Sequence, residues 1–237
     1  MKILKKLRHQ IHNSYKYLVG EFLRHKKFKN SDEMVKAHFK EFSSLSHPNY
    51  SMFIEGIKRV TKRNPLIVET GTSAWGTDST RLFDLVAYKN QGTFHTVDIR
   101  SEPSIELKRM VSNTNFHISD SVVWLKNFLP TLGSSIDLLY LDSWDVDWST
   151  PEPAAHHGLL EFEESIRYLS KDAIVLIDDT PSSLYFIPDV GHKAAKIFES
   201  KHGVLPGKGA YILKNILDGK YEFEIFYHQY GLALKKT

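Results

Sequence analysis

The sequence of 237 residues contains no cysteine and no long run of apolar residues. The lack of cysteine excludes disulfides, thiolate metal sites and cysteine nucleophiles, and it fits a cytoplasmic protein. No stretch approaches the roughly 20 apolar residues that span a bilayer, so no transmembrane helix is expected. Internal repeats and low-complexity linkers are also missing. With 41% hydrophobic and 25% charged residues, the chain is predicted to form one large soluble α/β body.

Acidic residues are scarce at the start of the chain. Residues 1–30 contain nine Lys/Arg and a single acid, Glu21, whereas the rest of the chain contains the other 22 Lys/Arg and 27 Asp/Glu, a net charge of about −5. A basic segment therefore precedes a mildly acidic body. Such a body is not the profile of a nucleic-acid-binding protein, so no nucleic-acid partner is expected.

The basic segment has the spacing of an amphipathic helix over residues 2–28. Its apolar positions recur every three or four residues and leave a Lys/Arg-rich outer face: Ile3, Leu7, Ile11, Tyr15, Leu18, Phe22. Charges interrupt every apolar run, which excludes a signal peptide. One interpretation is peripheral attachment to an anionic membrane surface or a partner. The favoured alternative is a helix packed on the body with a solvated basic face.

The rest of the chain predicts an α/β fold. Two further helices are expected at 32–43 and 51–62, which makes 1–63 an N-terminal helical segment. From residue 64 onward, short apolar runs alternate with helical patterns of about ten residues, which is typical of βαβ units. The last two runs flank Tyr230-Gly231 and predict an antiparallel pair. We therefore expect a doubly wound, mainly parallel seven-stranded sheet with an antiparallel C-terminal hairpin.

Ligands of such sheets bind beyond the carboxyl ends of the strands. The first strand ends in a glycine turn that would let backbone approach a ligand: Glu69, Gly71, Thr72, Gly76. Its spacing is not that of dinucleotide-binding turns, and it carries no P-loop lysine. The second strand ends at Asp98, which suits a ribose diol or, alternatively, a solvated turn. The third ends at Ser119-Asp120, which could cap the next helix or approach an adenine edge.

Acidic residues follow the fourth and fifth strands. Asp142 ends one, and Asp178-Asp179 ends the next. In a doubly wound sheet these ends are neighbours, and three close carboxylates repel unless a cation lies among them. Oxygen ligands favour Mg²⁺, Mn²⁺ or Ca²⁺. His156 and His157 form a pair that is either structural, the favoured reading, or a ligand or base. Three glycines make 203–210 a candidate mobile loop, with an ordinary connection as the alternative.

Together these residues resemble class I S-adenosylmethionine-dependent methyltransferases, from about residue 65 to the C-terminus. The pattern E-x-G-x-x-x-x-G, the acid after strand two and the Ser-Asp after strand three match in order. LDSWD followed by IDDT is similar to the metal-dependent O-methyltransferases of the catechol type and the sugar-modifying macrocin type. The resemblance implies a Rossmann-like methyltransferase domain over 64–237.

The resemblance also implies roles for the site residues. Glu69, Gly71, Thr72 and Gly76 would hold the amino-acid part of S-adenosylmethionine, Asp98 the ribose, and Ser119 with Asp120 the adenine. Asp142, Asp178 and Asp179 would hold Mg²⁺ or another divalent ion, which would bind a hydroxyl of a small or sugar-bearing acceptor. The catechol-type base is a lysine three residues after the first metal ligand, but Asp145 stands there.

The proton acceptor is therefore expected to be Asp145 or His157, and Trp144 is expected either to line the acceptor pocket or to pack the loop. The alternative function is a non-catalytic nucleoside-binding module docked to a membrane or partner through the N-terminal helix. An NAD-dependent oxidoreductase is disfavoured by the glycine spacing. A homo-oligomer is compatible with the sequence.

Overall fold

The computed structural model describes residues 2–73 and 76–237, with side chains from residue 14 onward. Its centre is one seven-stranded sheet in the order β3-β2-β1-β4-β5-β7-β6. The first five strands run parallel, and β7 pairs antiparallel with both β5 and β6. This confirms the predicted fold class. The strands are β1 Leu66–Thr70, β2 Thr93–Asp98, β3 Thr114–Ile118, β4 Ile136–Leu141, β5 Leu169–Ile177, β6 Phe223–His228 and β7 Leu232–Lys236.

Helices cover both faces of the sheet. They are α1 Lys2–His25, α2 Ser31–Phe42, α3 Tyr50–Ile57, α4 Ser79–Asn90, α5 Glu102–Leu107, α6 Ser121–Phe128, α7 Glu152–Ser165, α8 His192–His202 and α9 Ala210–Leu217. The helix expected at 51–62 ends five residues early, at Ile57. No helix of the described chain is both long and apolar enough to cross a bilayer.

The central strands are buried on both faces, which is why their sequences are continuous apolar runs rather than alternating ones. All residues of β1 and β4 are buried. Successive residues enter opposite layers of the core: Val68 and Leu139 pack in one cluster, and Ile67 and Leu138 in the other. Because the central sheet is packed on both faces, it is a rigid base for the residues that follow the carboxyl ends of its strands.

The N-terminal helices pack on one of these faces. Phe39 of α2 and Phe53 of α3 lie with their ring centroids 5.6 Å apart, and Phe53 lies 5.2 Å from Tyr140 of β4. The C-terminal part of α1 buries Leu23. Over residues 2–13, the side chains of the predicted basic amphipathic face lie outside the described part. The division of the chain at 63/64 stays a prediction.

The segment between β5 and β6 contains α8 and α9, and the stretch between these helices includes the residues predicted as a mobile loop or an ordinary connection. Backbone amides fix the stretch between these helices: Lys208 donates to the carbonyl of Asp179 at 3.0 Å, and Gly209 donates to the hydroxyl of Thr180 at 2.9 Å. Lys208 itself is only 3% exposed. The candidate mobile loop is therefore packed against the end of β5.

Candidate functional site

The glycine turn after β1 lies directly against the end of β4. Gly71 has a φ of +85°, which favours glycine, and a Cβ there would overlap the backbone carbonyl of Asp142. Gly76 also has a positive φ, of +79°, and a Cβ there would lie 2.9 Å from Nε2 of His47. Ala74 and Trp75 lie outside the described residues. Gly71 thus permits a close approach between the glycine turn and the backbone after β4, whereas the predicted approach of the turn to a ligand stays a prediction.

Glu69 lies beneath this turn and is fully buried. Its carboxylate accepts hydrogen bonds from the hydroxyls of Ser79 at 2.6 Å, Thr80 at 2.6 Å and Thr96 at 2.7 Å. Burial outweighs these hydrogen bonds and raises the pKa of Glu69 to about 7. Glu69 therefore fastens β1 to α4 and β2. Its predicted contact with the cofactor stays a prediction.

Asp98 closes the other side of the turn. Its Oδ2 accepts from the backbone amide of Thr72 at 3.0 Å, and it pairs with the guanidinium of Arg100, with Nη2 at 2.8 Å. The carboxylate is 5% exposed, but the Arg100 side chain is 61% exposed. A ligand hydroxyl can therefore reach this carboxylate by moving a solvated partner.

Ser119 and Asp120 follow β3. The amide of Ser119 donates to the carbonyl of Asp98 at 3.1 Å, and Asp120 caps α6 by accepting from the amide of Val123 at 2.9 Å. Capping was one of the two readings from the sequence. Asp120 also lines a recess of about 80 Å³ beside Asp98, together with Ile99 and Trp144. The structure therefore brings Asp120 to the predicted ribose-binding acid.

His157, a candidate base, lines the same recess. Its Nε2 lies 3.0 Å from the hydroxyl of Ser143 and 3.1 Å from that of Ser121, and Trp144 packs on its ring at 5.0 Å between centroids. Burial would lower the pKa of His157, but its pairing with Glu161 prevails and raises it. His157 is thus placed beside the predicted adenine site.

The acids after β4 and β5 meet as predicted. One carboxylate oxygen from each of Asp142, Asp178 and Asp179 lies within 4.8 Å of the others. We call these three residues the acid cluster. The phenol of Tyr140 donates to Asp142 at 3.2 Å and to Asp178 at 3.1 Å. Burial, and then the charge of Asp178, raises the pKa of Asp142 well above its usual range. The cluster therefore favours a nearby positive charge.

Two residues that sequence reasoning missed hold the acid cluster from outside the strand ends. Asn49, between α2 and α3, donates its amide to Asp178 at 2.6 Å, and the phenol of Tyr230, between β6 and β7, donates to Asp179. The buried Oδ1 of Asn49 has no hydrogen-bond partner among the described residues. The carboxylate oxygens of the acid cluster and this amide oxygen thus form a set of oxygen ligands that fits a cation. No sequence signal marks Asn49, because 129 residues separate it from Asp178.

Lys208 was also missed, and its ammonium lies inside the acid cluster. It contacts Asp142 and lies 3.1 Å from Oδ2 of Asp179. Burial would lower the pKa of Lys208, but the surrounding carboxylates raise it well above its usual range. The only sequence signal is the triplet Gly207-Lys208-Gly209, which marks a place where backbone packs closely.

The glycine turn, Asp98 and the acid cluster border one cleft of about 620 Å³. This volume is in the range of small-molecule binding sites. Asp145, the other candidate base, is exposed and lines the cleft, and His47 and Asn49 contribute to its wall from the N-terminal segment. The predicted cofactor site and the predicted metal site therefore share one cavity.

Solved structures share this architecture. The MycE methyltransferase from the mycinamycin biosynthetic pathway, in complex with Mg and SAH, matches 89% of this chain with a TM-score of 0.60 and 12% identity. This chain shares the fold of the MycE methyltransferase. The MycE complex with Mg, SAH and mycinamycin VI gives a TM-score of 0.59 at 12% identity, again over 89% of the chain.

The matched structures are longer than this chain, and the sequence comparisons found no match. The chain spans about half the length of the solved structures it matches, since 55% of the MycE chain is covered in both complexes. No protein-family model and no curated protein sequence matches the chain. The resemblance read from the sequence is therefore confirmed at the level of the fold.

Proposed function

We propose that this chain transfers the methyl group of S-adenosylmethionine to a hydroxyl of a small or sugar-containing acceptor. The observation that carries the proposal is the shared cleft: Gly71 and Asp98 stand on one side and the acid cluster on the other. A cofactor held at the first side would present its sulfonium methyl to an acceptor held at the second. The shared fold with a methyltransferase solved with Mg and SAH supports this assignment.

The cofactor would lie along the ends of β1 to β3. The turn at Gly71 and Thr72 offers backbone to its amino-acid part, and Asp98 offers a carboxylate to the ribose hydroxyls. The recess with Ile99 and Asp120 beside Asp98 would take the adenine. The aromatic wall of that recess favours a planar base. In this arrangement Trp144 serves the cofactor rather than the acceptor.

The acceptor hydroxyl would lie near the acid cluster. A divalent ion such as Mg²⁺ held by Asp142, Asp178 and Asp179 would lower the pKa of that hydroxyl. Bound S-adenosylmethionine would supply the methyl group to the hydroxyl oxygen and, with its carbon–sulfur bond broken, would leave as S-adenosylhomocysteine. The carboxylate of Asp145, which lines the cleft and is open to solvent, would accept the hydroxyl proton. A sugar-bearing acceptor follows from the macrocin-type resemblance of LDSWD and IDDT.

Calorimetric titration of S-adenosylmethionine tests the proposal. Wild type should bind, and Asp98→Ala should bind about 10- to 100-fold more weakly, because hydrogen bonds to a charged group contribute about 1.5–3 kcal/mol. Asp147→Ala is the matched control, since Asp147 is exposed and bonds only to the turn before α7. Absence of binding, or tighter binding of NAD, would refute the assignment.

A second proposal concerns the N-terminal helix. Leu18 and Phe22 lie one turn apart on α1 and are 66% and 65% exposed, although Leu23 beside them is buried. Two large apolar side chains on a basic helix are suited to a peripheral contact with an anionic membrane surface or a partner. A non-catalytic nucleoside-binding module docked in this way is the competing function. It predicts cofactor binding without methyl transfer to any hydroxylated acceptor.

A further inference from the structure

The packing of the backbone around Lys208 fixes the position from which its side chain reaches the acid cluster. The amide of Lys208 donates to the carbonyl of Asp179 at 3.0 Å. A Cβ at Gly158 of α7 would overlap the carbonyl of Lys208. A Cβ at Gly207 would overlap the Asp179 carbonyl. The connection between α8 and α9 is thus fitted against α7 and the end of β5, and this fit delivers the amine to the carboxylates.

The ammonium contacts two of the three carboxylates that would hold a divalent ion. It touches Oδ1 of Asp142 and lies 3.1 Å from Oδ2 of Asp179, so it bridges two of the three carboxylates. Magnesium ligands lie about 2.1 Å from the ion, so an ion bonded to Oδ1 of Asp142 would be a near neighbour of the ammonium that contacts the same atom. Two cations at that separation repel strongly in a buried site. The same oxygens therefore hold either the ammonium or the ion.

The other contacts of the acid cluster do not impose this choice. Tyr140, Asn49 and Tyr230 are neutral donors to the remaining oxygens. Three carboxylates and one ammonium leave a net charge of about −2, which a divalent ion compensates better than a single ammonium. Lys208 also lines the open cleft. Its flexible stem can therefore move its charge out of the cluster.

We propose that the Lys208 ammonium is an internal counter-cation that competes with a divalent ion for Asp142 and Asp179. Binding of the ion moves Lys208 toward the cleft, and loss of the ion returns it to the acid cluster. Lys208 thereby keeps the three carboxylates neutralised and positioned in the metal-free protein, and it limits the affinity for the metal. The inference rests on the proposed function in one respect: it takes from it that a divalent ion binds at the acid cluster.

Calorimetric titration with Mn²⁺ tests the competition on the full chain. Lys208→Met should bind Mn²⁺ at least about tenfold more tightly than wild type, equivalent to about 1.4 kcal/mol. Lys214→Met, on α9, is the matched control and should equal wild type, because Lys214 pairs only with Asp218 on the surface. Equal or weaker binding by Lys208→Met would overturn the inference. If that variant does not fold, Lys208→Gln, which keeps a hydrogen-bond donor without the charge, carries the same comparison.

A crystal structure of wild type with Mn²⁺ gives an independent readout. The anomalous signal should lie among Asp142, Asp178 and Asp179, with the amine of Lys208 moved into the cleft. An ion bound there with the amine still bridging Asp142 and Asp179 would contradict the inference. Titration of S-adenosylmethionine on the same samples separates the two claims: tighter Mn²⁺ binding by Lys208→Met without cofactor binding supports the competition and rejects the methyltransferase.

Discussion

Replacement of Glu69 by glutamine should change how stability depends on pH. Glu69 is fully buried beneath the glycine turn, and burial raises its pKa from 4.5 to about 7. Its folded-state pKa is thus above its unfolded-state value, so the folded protein holds the proton more tightly. The resulting stability is present below pH 4.5 and is lost as pH rises toward 7.

The size of this effect follows from the shift. Each pKa unit corresponds to about 1.4 kcal/mol, so a shift from 4.5 to about 7 corresponds to about 3 kcal/mol between the two limits. Between pH 5 and pH 8 the loss should be about 2–3 kcal/mol, because the unfolded carboxyl is already mostly ionised at pH 5. Glu69→Gln stays neutral and can still bond the surrounding hydroxyls, so it should lack this loss.

Urea denaturation of both proteins at pH 5, 6.5 and 8 measures the prediction. The difference in free energy of unfolding between wild type and Glu69→Gln cancels the titration of all other groups. It should shift by about 2–3 kcal/mol in favour of the variant across this range. Glu106→Gln, at an exposed position, is the control. A difference that is the same at pH 5 and pH 8 would refute the interpretation that a buried, protonated carboxyl holds the turn.

Three further predictions concern the walls of the cleft and the N-terminal helix. Gly71→Ala should destabilise the fold by about 2–5 kcal/mol and weaken cofactor binding, because the added Cβ overlaps Asp142 and the alanine is strained at a positive φ. Gly203→Ala is the control: it has the positive φ without the overlap, so it should cost about 1–2 kcal/mol and leave cofactor binding unchanged. Urea denaturation measures the stability of both variants, and calorimetry measures their cofactor binding. Asn49→Leu should destabilise by about 1.5–3 kcal/mol in the same denaturation assay, since it removes a hydrogen bond to a buried carboxylate. The double change of Leu18 and Phe22 to serine should reduce co-sedimentation with anionic liposomes, and equal sedimentation of variant and wild type would dismiss the membrane contact.

The sheet could be predicted from the sequence because its central strands are buried on both faces. LIVET and IDLLYL are predominantly apolar and buried throughout, and the turns between strands and helices carry glycine or acids. The convergence of Asp142 with Asp178 and Asp179 followed from the same logic, since neighbouring parallel strands end at one edge. Local patterns are therefore sufficient wherever the topology itself brings residues together.

The partners of the acid cluster could not be predicted in this way. Lys208 lies 66 residues from Asp142, and Asn49 lies 129 residues from Asp178, so their contacts depend on how loops and the N-terminal segment pack. LDSWDVDW shows both outcomes. Asp142 takes the predicted position, whereas Asp147, which had no assigned role, bonds Ser149 and Thr150 in the turn that leads into α7.

A crystal structure with S-adenosylhomocysteine bound tests the central claim most directly. We expect the ligand to lie in the 620 Å³ cleft, with its ribose hydroxyls on Asp98, its amino-acid part on the turn at Gly71 and its sulfur directed toward the acid cluster. Binding outside this cleft, or binding in it with the sulfur directed away from Asp142, Asp178 and Asp179, would contradict the claim that the strand ends form a methyl-transfer site.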